Sequence, residues 1–116
     1  EKEAISDLDK GFVSRFKSLV EERMKDAELN VEDLGRNMGM SRVQLYRKLK
    51  SLTNYSPNEL LRQMRLKKAA SLLASSDMTV AEIAYEVGFS SPSYFTKCYK
   101  EQFGESPTEF SEKEGG

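Results

Sequence analysis

Apolar residues recur along this chain at the three- and four-residue spacing of helices, and no stretch alternates as a half-buried strand would. Phe12, Phe16, Leu19 and Val20 form one stripe of a first helix over about Asp9–Lys25. Asn30 is a good N-cap for a second helix carrying Val31, Leu34 and Met38, which Gly39 ends. A third spans about Arg42–Leu52, with Leu45, Leu49 and Leu52 on one side. Pro57 behind Ser56 opens the fourth and longest helix, which runs to about Ala74 with Leu60, Leu61, Met64, Ala69, Leu72 and Leu73 as its apolar residues. Thr79 and Glu82 make a capping box for a fifth, which carries Val80, Ile83, Ala84 and Val87 and stops at Gly88. A sixth begins at Pro92 behind Ser91 and reaches Phe103, before Gly104, with Phe95, Tyr99 and Phe103 facing inward; Pro107 opens a short seventh that holds Phe110. Residues 1–8 read as a tail or linker end, and 112–116 as a frayed tail. The expected fold class is all-α, with about seven helices.

An internal repeat organises these helices. Val31, Leu34, Gly35, Met38, Gly39, Met40 and Ser41 align with Val80, Ile83, Ala84, Val87, Gly88, Phe89 and Ser90. One residue then enters the turn, after which Leu45, Arg47, Leu49 and Lys50 align with Phe95, Lys97, Tyr99 and Lys100. Each copy is a short helix, a glycine, an apolar plug, a serine and a longer helix, which is the helix-turn-helix plan. Gly35 or Ala84 allows close approach, Gly39 or Gly88 takes the left-handed turn, and the serine caps the second helix. The expected organisation is a first helix-turn-helix subdomain over 9–56, a linker helix over 57–76 and a second subdomain over 77–111.

Composition narrows the chemistry. With no histidine and one cysteine, Cys98, the usual general base and a zinc site are both lacking, and neither common phosphate-cradling glycine motif occurs. The expectation is no enzyme, no metal and no cofactor. No apolar run approaches the roughly 20 residues of a membrane helix, so no membrane contact is expected. A lone cysteine fits a reducing compartment, and the cytoplasm is the expected location. Cys98, on the side of Phe95 and Tyr99, reads as a small buried filler.

The net charge of −1 hides a segregation. From Arg42 to Lys68 there are eight cations (Arg42, Arg47, Lys48, Lys50, Arg62, Arg65, Lys67 and Lys68) against one acid, Glu59. From Asp77 to Thr96 the only charges are Asp77, Glu82 and Glu86. A basic stretch of this kind suits a surface that meets phosphates. The third and sixth helices also leave matching outer stripes. In the third it is Val43, Tyr46, Arg47 and Lys50, with Arg42 at the helix start; in the sixth it is Ser93, Thr96, Lys97 and Lys100, with Ser91 and Pro92 at the start. Both carry long cations and no acid, as a helix lying in a DNA major groove requires. The expected partner is double-stranded DNA, and the acidic flank at Glu82 and Glu86 is free to face RNA polymerase or a neighbouring subunit.

The residues Ile83-Ala84, Val87-Gly88-Phe89, Ser93-Tyr94-Phe95, Lys97, Tyr99-Lys100, Phe103-Gly104 and Ser106-Pro107 with Phe110 resemble the signature of the AraC/XylS family of bacterial transcription regulators. The first half, from Gly39 to Lys50 and from Ser56 to Leu60, is similar to the output domain of hybrid two-component regulators. The resemblance implies two helix-turn-helix units joined by a long linker helix, recognition helices at about 42–52 and 92–103 in successive major grooves, and an upstream receiver domain in the full-length protein. Two positions depart from it. Ser111 stands where a basic residue is common, and Lys97 where arginine is commoner. A stand-alone small activator of the same fold, or a helical protein-interaction module without DNA binding, are the alternatives. The start on Glu1-Lys2-Glu3 favours a piece of a longer chain over the stand-alone form.

Overall fold

A computed structural model describes residues 6–115. Among these residues there are seven helices and no strand: α1 Asp7–Arg23, α2 Val31–Asn37, α3 Arg42–Thr53, α4 Pro57–Ser75, α5 Val80–Glu86, α6 Pro92–Phe103 and α7 Pro107–Gly115. The first begins earlier than the apolar stripe suggests, because Ser6 caps it: Asp9 N–H donates to Ser6 Oγ at 3.1 Å and Lys10 N–H to Ser6 O at 2.9 Å. Asp7 and Asp9 then lie in the first turn, where the helix dipole favours acids. Of the tail expected over 1–8, residues 1–5 fall outside the described residues and Ser6, Asp7 and Leu8 belong to the start of α1. The frayed end expected from Glu112 is helical to Gly115, with Lys113 Nζ 3.3 Å from Glu105.

The chain forms two compact units. The first comprises Glu1–Arg23 and Leu29–Leu61, the second Met24–Glu28 and Arg62–Gly116. Helix α4 thus contributes to both. In the first unit, α1, α2 and α3 pack on one another and bury Phe16, Val20, Leu34, Leu45 and Leu49 completely. In the second, Leu66, Ala69, Leu73, Ile83, Ala84, Val87, Phe89, Phe95, Cys98 and Tyr99 form one core. Cys98 is buried there as a free thiol, as its position implied.

An aromatic row runs along α6 in this core. Phe95 lies edge-on to Phe89 at 5.2 Å, Tyr99 is 5.8 Å from Phe95, and Phe103 is 4.6 Å from Tyr99. Phe103 is nevertheless 39% exposed. The inward placement expected of it is corrected: in the last turn of the helix its ring meets Tyr99 at a tilt of 54° and stays open to solvent. Leu52, in the last turn of α3, is half-buried.

Burial, aided by Glu105, pushes the Tyr99 phenol up to about 12 from 10.0. The folded state therefore resists its ionisation, and the unfolded chain ionises first. Stability should be intact below pH 10 and fall as pH rises towards 12, by about 1–2 kcal/mol once solvent screening is allowed for. Chemical denaturation of wild type and Tyr99→Phe at pH 9 to 12 checks this. The wild type should lose more stability than the variant across that range; parallel curves would refute it.

Candidate nucleic-acid interface

Each unit presents one helix whose outer stripe no other element covers. In the first, Asn30 Oδ1 accepts from Asp33 N–H at 2.9 Å and starts α2. Gly39 turns the chain at φ +71°, and Met40 N–H donates to Gly35 O at 2.8 Å across the corner. Gly35 has to be small here, because a Cβ would lie 2.9 Å from Met40 O. Ser41 and Gln44 form a full capping box at the start of α3, which ends at Asn54 in the left-handed conformation. Leu45 and Leu49 anchor the inner side of α3. Arg42, Val43, Tyr46, Arg47 and Lys50 are all exposed, with Val43 at 56% and Tyr46 at 47%. An apolar valine left this open on a helix anchored by two fully buried leucines has no role in the core.

The second unit repeats the construction with different side chains. Thr79 and Glu82 cap α5, Gly88 turns at φ +99°, and Phe89 N–H donates to Ala84 O at 2.9 Å. Ser91 Oγ accepts from Tyr94 N–H at 3.2 Å, and Pro92 opens α6. Phe95, Cys98 and Tyr99 face inward, leaving Ser93, Lys97 and Lys100 exposed and Ser91, Pro92 and Thr96 half-exposed. Tyr94, which the spacing argument left out, is 51% exposed and braced against Phe89 at 6.0 Å. It falls on the shoulder between the core stripe and the outer stripe, where a period alone assigns nothing.

The repeat also runs further than the helix-turn-helix itself. Gly104 matches Asn54 as a left-handed cap, and Pro107 matches Pro57. Ser56 and Glu59 exchange bonds of 2.8 and 3.1 Å at the start of α4, as Ser106 and Glu109 do, at the same distances, at the start of α7. The backbone and hydroxyl of Ser106 hold the Glu109 carboxyl below its ordinary range.

Two cations of the basic stretch have partners within their own unit. Lys48 Nζ lies 3.5 Å from Asp9 Oδ1 and 5.3 Å from the centre of the Phe12 ring, so it fastens α3 to α1. Arg65 is buried, and its Nη2 donates to Asp26 O at 2.8 Å. Burial lowers its pKa, against a smaller opposing effect of Asp26. Arg62, Lys67 and Lys68 remain exposed on α4. The acids of the flank expected to face a protein partner are at the surface and also bond within the unit. Glu82 Oε1 accepts from Thr79 N–H at 2.8 Å, and Glu86 pairs with Lys25 at 3.2 Å. Among the described residues no group of three or more metal-ligating side chains comes together. No helix there is long and apolar enough to cross a membrane.

A family model described as a helix-turn-helix domain matches residues 34–113. The chain is 36% identical over 109 residues to a histidine kinase of Formosa agariphila, a match that covers 94% of this chain and 8% of that protein. It superposes with a TM-score of 0.85 on a transcriptional regulator with an AraC-type DNA-binding domain from Chromobacterium violaceum, at 26% identity, covering 94% of this chain and 96% of the other. It superposes with a TM-score of 0.81 on the DNA-binding domain of the global transcriptional factor AdpA, solved with a target DNA, at 30% identity and 87% and 90% coverage. The chain spans only 8%, 36% and 29% of the length of the first three curated relatives it matches.

Proposed function

The chain belongs to the AraC-type helix-turn-helix family, and from that premise we propose that α3 and α6 read double-stranded DNA in successive major grooves, as the output domain of a bacterial transcription regulator. The observation that carries this is the pair of outer stripes: exposed or half-exposed, cationic, free of acids and equally spaced in both units. Arg42 and Lys50 would hold phosphates at the first groove. Arg47 is suited to guanine, whose two acceptors match its planar fork, and Val43 to a thymine methyl, with Tyr46 beside it. In the second unit Ser91, Pro92, Ser93 and Thr96 are small enough to let the backbone near base edges, and Lys97 and Lys100 act as point charges. The exposed hydroxyl of Tyr94 would add a phosphate contact beside them.

The kinase relative, matched by this chain over a small part of its length, supports a two-component regulator, with a receiver domain upstream and a cytoplasmic setting. RNA polymerase is the partner such a DNA-bound regulator would address, and the surface acids Glu82 and Glu86 would face it or a neighbouring subunit.

Salt titration of DNA binding tests the proposal. With Lys48 and Arg65 engaged internally, about 5–7 phosphates are within reach of the remaining cations, so log K should fall with log salt at a slope of about −4 to −6. A flat response would remove the nucleic-acid reading.

A further inference from the structure

The two helix-turn-helix corners share one plan and each is held by an arginine, the first by Arg15 Nη2 donating to Asn37 O at 2.9 Å, yet only at the second does the clamp press on the glycine itself. Gly39 and Gly88 occupy the same place in the repeat, both at positive φ. A Cβ on Gly39 would meet nothing within 4 Å, whereas one on Gly88 would lie 2.1 Å from Met24 O, 2.7 Å from Arg65 Nε and 2.9 Å from Arg65 Cζ. The difference comes from Met24–Glu28, five residues that follow α1 and belong to the second unit. Three kinds of contact fasten them there. The Met24 side chain packs on the core of that unit, Arg65 Nη2 donates to Asp26 O at 2.8 Å, and Lys25 pairs with Glu86 at 3.2 Å.

Arg65 is a costly residue for mere filling. It is 9% exposed, and its Nε has no hydrogen-bond partner. An apolar side chain of similar volume would pack the same space without burying a charge. What the guanidinium adds is reach and shape: one arm holds the backbone of the strap while the Nε–Cζ edge abuts Gly88. Gly88 in turn sets how α6 leaves α5, through the bonds Gly88 N–H to Tyr85 O at 3.1 Å and Phe89 N–H to Ala84 O at 2.9 Å.

We infer that Arg65 and the Met24–Glu28 strap are a positioning device for the second recognition helix, fixing the α5–α6 corner through Gly88. The inference rests on the proposed DNA reading for its purpose, and on packing within the second unit for its mechanism. In the first unit the Arg15 bond reaches Asn37 and nothing abuts Gly39, so the reading geometry of α6, and not of α3, depends on residues that follow α1.

Arg65→Met and Arg65→Lys in the whole chain test this. The first removes the charge and every donor, and the second keeps the charge and one donor group. Each is measured at a temperature where circular dichroism shows it fully folded, on a selected DNA site and on versions with either half scrambled. In the wild type, scrambling either half should cost about tenfold or more. In Arg65→Met the penalty for scrambling the half read by α6 should shrink to under about threefold while the other penalty stays; Arg65→Lys should show the same pattern more weakly. Amide exchange at Gly88, Phe89 and Ser90 should quicken in both variants, and exchange at Gly39, Met40 and Ser41 should not. Should Arg65→Met fail to fold, Arg65→Lys decides. Unchanged discrimination and unchanged exchange in the folded variant would overturn the inference, as would equal losses at both halves. Exchange needs no DNA, so a wild type that binds none, with variants that exchange faster at Gly88, would overturn the DNA reading and keep the clamp.

Discussion

Gly88→Ala should unfold the second unit, while Gly39→Ala, at the matching place in the first, should leave a folded protein. Both substitutions place a Cβ on a residue at positive φ, which costs about 1–2 kcal/mol for an L-residue other than glycine. At Gly39 that is the whole cost, because the new methyl meets open space. At Gly88 the methyl would collide with Met24 O at 2.1 Å, a backbone atom that cannot rotate aside, and with the buried Arg65 guanidinium. Relief requires moving the strap or the corner, and either uncovers the core beneath. The expected loss is about 4 kcal/mol or more, at the extreme of single substitutions. Thermal unfolding followed by circular dichroism checks the pair. Equal melting points for the two variants would mean that the corner at Gly88 is looser than described.

Arg47→Ala should weaken binding to a selected DNA site by about 1–3 kcal/mol and relax preference at one base position. Lys68→Ala should have a smaller effect, equal on selected and scrambled DNA. Both side chains are exposed, so neither change should disturb folding. Arg47 lies on the outer stripe of α3, one turn past Val43, whereas Lys68 is on α4, outside either stripe. The contrast separates base reading from charge. A generic loss of one cation would make the two variants behave alike. If Arg47→Ala lowers both affinities in equal proportion, the reading face of α3 has been assigned to the wrong residues.

Where local chemistry decides, this fold was legible in the sequence. Thr79 with Glu82, and Ser91 with Pro92, mark the starts of α5 and α6 because caps act within one turn of the chain. The outer stripes were legible too, since Leu45 with Leu49 and Phe95 with Tyr99 fix which way each helix faces. What escaped depends on distant partners. Nothing near Lys48 in the sequence announces that Asp9 and Phe12 will hold it, and α4, whose buried residues belong to two units, has no single apolar face from which to place Arg65 inside. The segment Met24–Glu28 carries no periodic signal, because it is held by one core side chain, one ion pair and one backbone carbonyl, each with a distant partner. The extension of the repeat to Ser56-Pro57 and Ser106-Pro107 was visible in the residues themselves, just past the stretch that the helix-turn-helix pattern compares. Glu82 and Glu86 are on the surface as read, and the sequence did not announce their bonds to Thr79 and Lys25.

The most direct measurement of the central claim is a hydroxyl-radical footprint of this chain on a DNA site selected from random sequence. Two readers working in successive major grooves should protect two patches on one face of the duplex, about 10 base pairs apart. Lys97→Ala with Lys100→Ala should fade one patch, and Arg47→Ala the other. A single protected patch, unchanged by the α6 substitutions, would contradict the account by removing the second helix as a reader.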